Sequence, residues 1–176
     1  MTGITVRRAR TSDVRGIREL IEPLVEERIL LGKELVTLFE AVQEFRVAAD
    51  ETGRLVGVGA LHVMWEDLGE VRTLAAASDW RGRGVGHAIL ERLETDAREL
   101  GLSRLFCLTF ETQFFGRHGF TDMGDETVDP AVFAELLRSV DDGVAEFLDL
   151  ARVKQNTLGN TRMLKRLAPV GVDEGE

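Results

Sequence analysis

Arg81-Gly82-Arg83-Gly84-Val85-Gly86 sets glycine at every second position, with two arginines between, just before an amphipathic stretch. A backbone without Cβ atoms can run close to a ligand. The first turn of a helix adds unpaired N–H groups and the positive end of its dipole. With Arg81 and Arg83 contributing charge, the segment suits an anion such as a pyrophosphate. The plainer alternative is a strand–helix corner whose glycines serve packing alone.

Two elements must hold this turn. Upstream, Val71 and Leu74 to Ala77 are small and apolar, as in a central strand buried on both faces. Downstream, Val85, Ala88, Ile89, Leu93, Ala97 and Leu100 recur at helical spacing, and Gly101 marks the helix end. Glu70 opens the strand and, by strand alternation, shares a face with Arg72 and Leu74.

The remaining chain supplies the scaffold. Ile4 to Arg8 reads as a strand, and Thr11-Ser12-Asp13 as an N-cap with an acidic first turn for a helix carrying Val14, Ile17 and Ile21. Pro23 is expected to kink that helix or open a second one, and Gly32 closes the segment. A helix follows from Glu34, then a strand at Phe45 to Ala49, a hairpin turn at Glu51 to Arg54, and a strand at Leu55 to Trp65. Gly57 and Gly59 in that strand suggest a bulge or close packing. Asp67-Leu68-Gly69 turns the chain into the central strand. Beyond the long helix come a strand at Leu105 to Phe110, a short helix at Gln113 to His118 ended by Gly119, and a strand from Phe120. Asp129-Pro130 starts a helix through Ser139. Val144 to Val153 fits either a helix or a strand, Arg162 to Leu167 is a last strand, and Ala168 to Glu176 a frayed acidic tail. One domain over residues 1–168 is expected, with a tail over 169–176.

At 176 residues, 44% hydrophobic and 30% charged, the composition is that of a soluble globular protein. No apolar run approaches the roughly 20 residues that span a bilayer. The N-terminal MTGITVRRARTSD has charge with no apolar stretch behind it, so no secretory leader is expected. The lone Cys107 agrees with a reducing, cytoplasmic setting. A net charge of −9 argues against general nucleic-acid binding and requires local Arg or Lys wherever an anion is held. The histidines His62, His87 and His118 show no ligand spacing, so no metal is expected.

Arg81 to Gly86 resembles the R/Q-x-x-G-x-G/A signature of the GCN5-related N-acetyltransferases (GNAT), lying between a central strand and the long helix as in that family. It lacks the Gly-Lys-Ser/Thr ending of a nucleotide-binding P-loop, and its glycine spacing differs from G-x-G-x-x-G. Phe114-Phe115-Gly116-Arg117-His118-Gly119-Phe120 resembles the family's (F)Y-x-x-x-G-F segment. The resemblance implies an α/β (α+β) fold: a mixed, mostly antiparallel sheet with splayed fourth and fifth strands and helices on both faces. It also implies acetyl-CoA as cosubstrate, with Arg81, Gly82, Arg83, Gly84, Val85, Gly86 and His87 at its pyrophosphate. Leu74, Ala75 and Ala76 would then lie along its pantetheine arm, and Phe115 nearby. His87 is otherwise an exposed helix residue. The resemblance also leaves room for a homodimer.

In the reaction so implied, an amine attacks the acetyl thioester directly, so a proton must leave the ammonium and the departing thiolate takes one up. Glu70 is the nominated base; its alternative is an ion pair with Arg72 on the strand surface. Many family members donate from a tyrosine at the position of Phe115, but this chain has no tyrosine. Thr109 on the neighbouring strand is the substitute donor, or else a satisfied strand threonine. Cys107 is read as core, without an activating base nearby in sequence.

Within the superfamily the chain is similar to short, stand-alone amino-acid N-acetyltransferases that make N-acetylglutamate for arginine biosynthesis. The similarity lies in Gly32 to Val47, Glu70 to Ala75, Phe106 to Phe115 and Lys154 to Met163. Glutamate or glutamine is then the expected substrate, its carboxylates held by Lys33, Arg72, Lys154 and Arg162, with Asn156 and Asn160 orienting it. Each of these cations is alternatively a solvated surface charge. Two other readings are acetylation of a protein N-terminus or lysine, which needs an open peptide groove, and a non-catalytic acyl-CoA-binding module.

Overall fold

A computed structural model describes residues 3–169 of the chain. Seven strands form one sheet in the order β1-β2-β3-β4-β5-β7-β6. They are β1 (Ile4–Arg8), β2 (Phe45–Asp50), β3 (Leu55–Trp65), β4 (Leu68–Ala76), β5 (Arg104–Thr109), β6 (Thr121–Asp122) and β7 (Thr161–Arg166). Pairs β1–β2, β2–β3, β5–β7 and β6–β7 are antiparallel, and β4–β5 is parallel. The helices are α1 (Val14–Glu26), α2 (Leu35–Glu40), α3 (Val85–Glu99), α4 (Thr112–Arg117), α5 (Pro130–Leu136), α6 (Asp142–Phe147) and α7 (Lys154–Thr157). The chain divides into two compact units. The first holds residues up to His62 and Val71–Glu99; the second holds Val63–Glu70 and residues from Leu100 onward.

In the first unit, Val14, Ile17, Ile21 and Leu24 of α1 pack with Leu38, Phe45, Val47, Val58 and Ala75 in a core shielded from water. Close packing explains the β3 glycines. A Cβ on Gly57 would stand 2.3 Å from Val85 Cγ1 and 2.7 Å from Ile89 Cδ1, and one on Gly59 would stand 2.7 Å from Ile89 Cγ2. The long helix therefore seats directly on β3. Asp96 of α3 is tied to β2 by Arg46, whose Nε and Nη2 donate to its carboxylate at 2.6 and 2.8 Å.

Several boundaries differ from expectation. Helix α1 runs through Pro23 to Glu26 without ending there. Thr11–Asp13 is a 3-10 turn, and Asp13 is not a side-chain cap for α1. Its carboxylate instead accepts from Arg7 at 2.7 and 2.9 Å and from the Arg10 N–H at 2.7 Å. Leu68 and Gly69 already belong to β4, because the turn closes at Glu66-Asp67. Leu100 lies past the end of α3 and is exposed.

In the second unit, Leu68, Phe106, Met123, Leu136, Val144, Phe147, Leu148 and Leu164 make the core. The segment that fits helix or strand is helical: α6 is capped by Asp141, whose carboxylate accepts from the Val144 N–H at 3.0 Å. Helix α5 stops at Leu136, short of Ser139. Most of the expected C-terminal tail lies outside the described residues.

Candidate active site

In the first unit, β4 leads through a 3-10 turn (Ser78–Trp80) into the glycine loop and α3. Gly82 has φ +74° and Gly84 φ +82°, which a side-chain-bearing residue adopts only with strain. Gly86 is already helical, so backbone conformation requires glycine at the first two positions and not the third. The Ala88 N–H donates to the Gly84 carbonyl at 3.0 Å, so Gly84 stands at the N-terminal boundary of α3, where first-turn N–H groups have no acceptor within the helix. Arg81, Gly82, Arg83 and Gly84 are exposed. Arg83 stacks over Trp80, its guanidinium carbon 4.6 Å from the ring centre. A 15-residue helix, two left-handed glycines and two exposed arginines form a site whose donor set fits a pyrophosphate. His87 is exposed on α3, with Nε2 3.2 Å from Glu91 Oε1 one turn on.

Leu74 and Ala76 are half-buried and Ala75 is buried. Just before them, Thr73 takes φ +57°. A β-branched residue in that region is a true outlier, costing about 1–3 kcal/mol. The bend breaks the regular pleat of β4 at the point where the chain heads for the glycine loop. Sequence reasoning misses Thr73, because threonine's strand preference argues against a left-handed conformation. Lys33 is half-buried just ahead of α2, and Arg72 is half-buried beside Thr73.

In the second unit, the parallel ladder of β4 with β5 runs from Leu68↔Arg104 to Glu70↔Phe106, while β5 continues to Thr109. Glu70 is the third residue of β4, not its first, and is 4% exposed. Its carboxylate bears on Cys107. Burial pushes that thiol well above its ordinary value, and the Glu70 charge raises it further. A thiol held protonated in the core is a poor nucleophile. Thiol-directed alkylation of the native protein is expected to be slow, and Cys107→Ala to retain turnover; steady-state assays before and after iodoacetamide check both.

Thr109 is buried at the end of β5, opposite Thr161 of β7. Its Oγ1 accepts the Glu111 N–H at 2.8 Å. This bond orients the hydroxyl and leaves its proton to donate. Phe115 is buried edge-on between Phe114 and Phe120, with ring centres 5.2 and 5.1 Å away. The ring at the usual tyrosine position is thus part of an aromatic cluster.

The C-terminal candidates gather around Glu146 of α6. Arg162 Nε donates to the Glu146 carbonyl at 3.0 Å, Nη1 to Gly124 at 3.5 Å, and Nη2 to Phe147. Two of these bonds satisfy carbonyls at the end of α6, a structural task for a residue expected to hold a substrate carboxylate. Asn156 Nδ2 donates to Glu146 Oε1 at 3.2 Å, and Asn160 Nδ2 to the Asn156 carbonyl at 2.6 Å. Lys154 is exposed and pairs with Asp149, which that bond holds below the usual carboxylate range.

The fold and this loop define an acyl-CoA N-acyltransferase class, and comparison with known proteins agrees. Residues 16–120 match the Acetyltransferase (GNAT) family, so the chain belongs to that family. An amino-acid acetyltransferase of Mycobacterium tuberculosis is 58% identical over 161 residues, 90% of this chain and 92% of the relative. One from Pseudomonas putida is 38% identical over 133 residues, 74% of this chain but 30% of that longer protein. Among solved structures, Rv2747 from M. tuberculosis in complex with CoA and NLQ superposes with TM-score 0.89 at 57% identity. That match covers 93% of this chain and 99% of Rv2747. N-acetylglutamate synthase from Neisseria gonorrhoeae, complexed with coenzyme A and N-acetyl-glutamate, gives TM-score 0.74 at 26% identity. It is matched over 94% of this chain and 35% of its own length.

Proposed function

We propose that the protein transfers the acetyl group of acetyl-CoA to the α-amine of glutamate or glutamine, as an amino-acid N-acetyltransferase of the N-acetylglutamate synthase type. The observation that carries this is the 58% identity with the M. tuberculosis amino-acid acetyltransferase across nearly the whole of both chains. The N. gonorrhoeae synthase supports an acidic amino acid as substrate. Such a protein would serve the first step of arginine biosynthesis in the cytoplasm.

The glycine loop and the first turn of α3 bind the pyrophosphate, and β4 from Leu74 to Ala76 lines the pantetheine. Glu70 takes the proton of the substrate ammonium, directly or through water. The neutral amine attacks the acetyl carbonyl carbon, the tetrahedral oxyanion forms, and its collapse breaks the C–S bond. The proton still on the attacking nitrogen passes to the departing thiolate through the Thr109 hydroxyl, which takes one proton as it gives one, or through a water ordered by it. Lys33 and Arg72 are the cations for the substrate carboxylates. Arg162 and Lys154 are second choices.

The test is release of free CoA thiol from acetyl-CoA with glutamate, glutamine, aspartate and ornithine. Saturable release with glutamate or glutamine alone is the expected result. Silence with all four, together with tight acetyl-CoA binding, would overturn the substrate assignment and leave the donor site standing.

A further inference from the structure

The loop that presents Arg83 follows an acidic residue with no part in holding an anion. Asp79 precedes Trp80, the residue on whose ring Arg83 is stacked. A free carboxylate at that place competes with any phosphate for Arg83. Asp79 is instead held by Arg54, just before β3, through two parallel hydrogen bonds: Nη1 to Oδ2 at 2.7 Å and Nη2 to Oδ1 at 3.0 Å. Arg54 itself rises from an ordered turn. Asp50 Oδ1 accepts the Arg54 N–H at 3.1 Å, the Thr52 N–H at 2.9 Å and the Thr52 hydroxyl at 2.7 Å.

We infer that Arg54 is a positioning residue for acetyl-CoA: by occupying Asp79 it leaves Arg83, braced on Trp80, to the pyrophosphate. The inference rests on the role proposed above for the glycine loop. Stacking takes up the face of a guanidinium and leaves its in-plane N–H donors for oxygen. The charges agree with this geometry. The Asp79 carboxyl lies below its ordinary value chiefly because of the Arg54 hydrogen bond, and the field of Arg83 reaches it as a smaller contribution. The Arg54–Asp79 pair is half-exposed, and such pairs add little to stability, so its effect is local to the loop.

Binding of acetyl-CoA by calorimetry, with steady-state kinetics beside it, tests the inference. Arg54→Ala is expected to weaken acetyl-CoA about threefold to fivefold, the range of an exposed charge interaction. The kcat at saturation and the KM for the amino acid stay unchanged. Asp79→Asn alone keeps wild-type affinity, and the double variant Arg54→Ala/Asp79→Asn regains it, because the competing charge is gone. A tether that merely shapes the loop would not be rescued this way. A double variant as weak as Arg54→Ala overturns the inference, as does an Arg54→Ala affinity equal to wild type while Arg83→Ala weakens binding. Unchanged binding in Arg83→Ala would instead bring down the anion site itself, and the inference with it.

Discussion

Glu70→Gln is expected to lower kcat by about 10²- to 10⁴-fold, the usual worth of a positioned general base. Glutamine keeps the size and polarity of the side chain, so a residue that is 4% exposed still fills its place beside Phe106 in the ladder. Affinity for acetyl-CoA and the melting temperature should therefore hold. The pH profile separates a base from a structural carboxylate. As pH rises, the substrate amine loses its proton unaided, so the deficit of the variant should shrink steadily toward alkaline conditions. Turnover equal to wild type across the profile would remove Glu70 from the mechanism, and Thr109→Val would become the next variant to assay.

The anion loop was legible in the sequence because its requirements are local. Gly82 and Gly84 need left-handed backbone, and the periodicity of Val85, Ile89, Leu93 and Ala97 places a helix directly behind them. The β3 glycines could be read as sites of close packing, although their partners Val85 and Ile89 lie about 30 residues away in sequence and emerge only from the fold. What could not be read depends on tertiary partners. Thr73 adopts a conformation that its own propensity opposes. No sequence pattern announces the three carbonyls that Arg162 meets. Asp13 does accept a local backbone N–H, that of Arg10, but no pattern announces its tie to Arg7 of β1. Arg54 and Asp79 stand 25 residues apart with no pattern linking them. Side chains that bond to nearby backbone leave a sequence signature, whereas those that choose distant ionic partners leave none.

Asp96→Ala carries the largest expected loss of stability, about 3–5 kcal/mol. Arg46 and Asp96 are each 9% exposed, and their two hydrogen bonds of 2.6 and 2.8 Å join β2 to α3. Arg92 adds a third nitrogen at 3.0 Å from Asp96 Oδ1. Removing the carboxylate leaves the Arg46 guanidinium in the protein with its partner gone, and that stranded charge accounts for most of the cost. At roughly 2–4 °C per kcal/mol for a chain of this size, the melting temperature should fall by about 10 °C. Replacing both partners, as in Arg46→Met/Asp96→Leu, removes the stranded charge and should return most of the stability. A double variant as unstable as Asp96→Ala would show that the ion pair is itself favourable there. The pair also bears on the donor site. Its ties fix α3 to β2, while Val85 and Ile89 of the same helix rest against Gly57 and Gly59 of β3. If the ionic tie sets how the helix presents the glycine loop, the double variant should refold to near wild-type stability yet bind acetyl-CoA more weakly. If the glycine contacts alone set it, calorimetry should find wild-type affinity in the repacked protein.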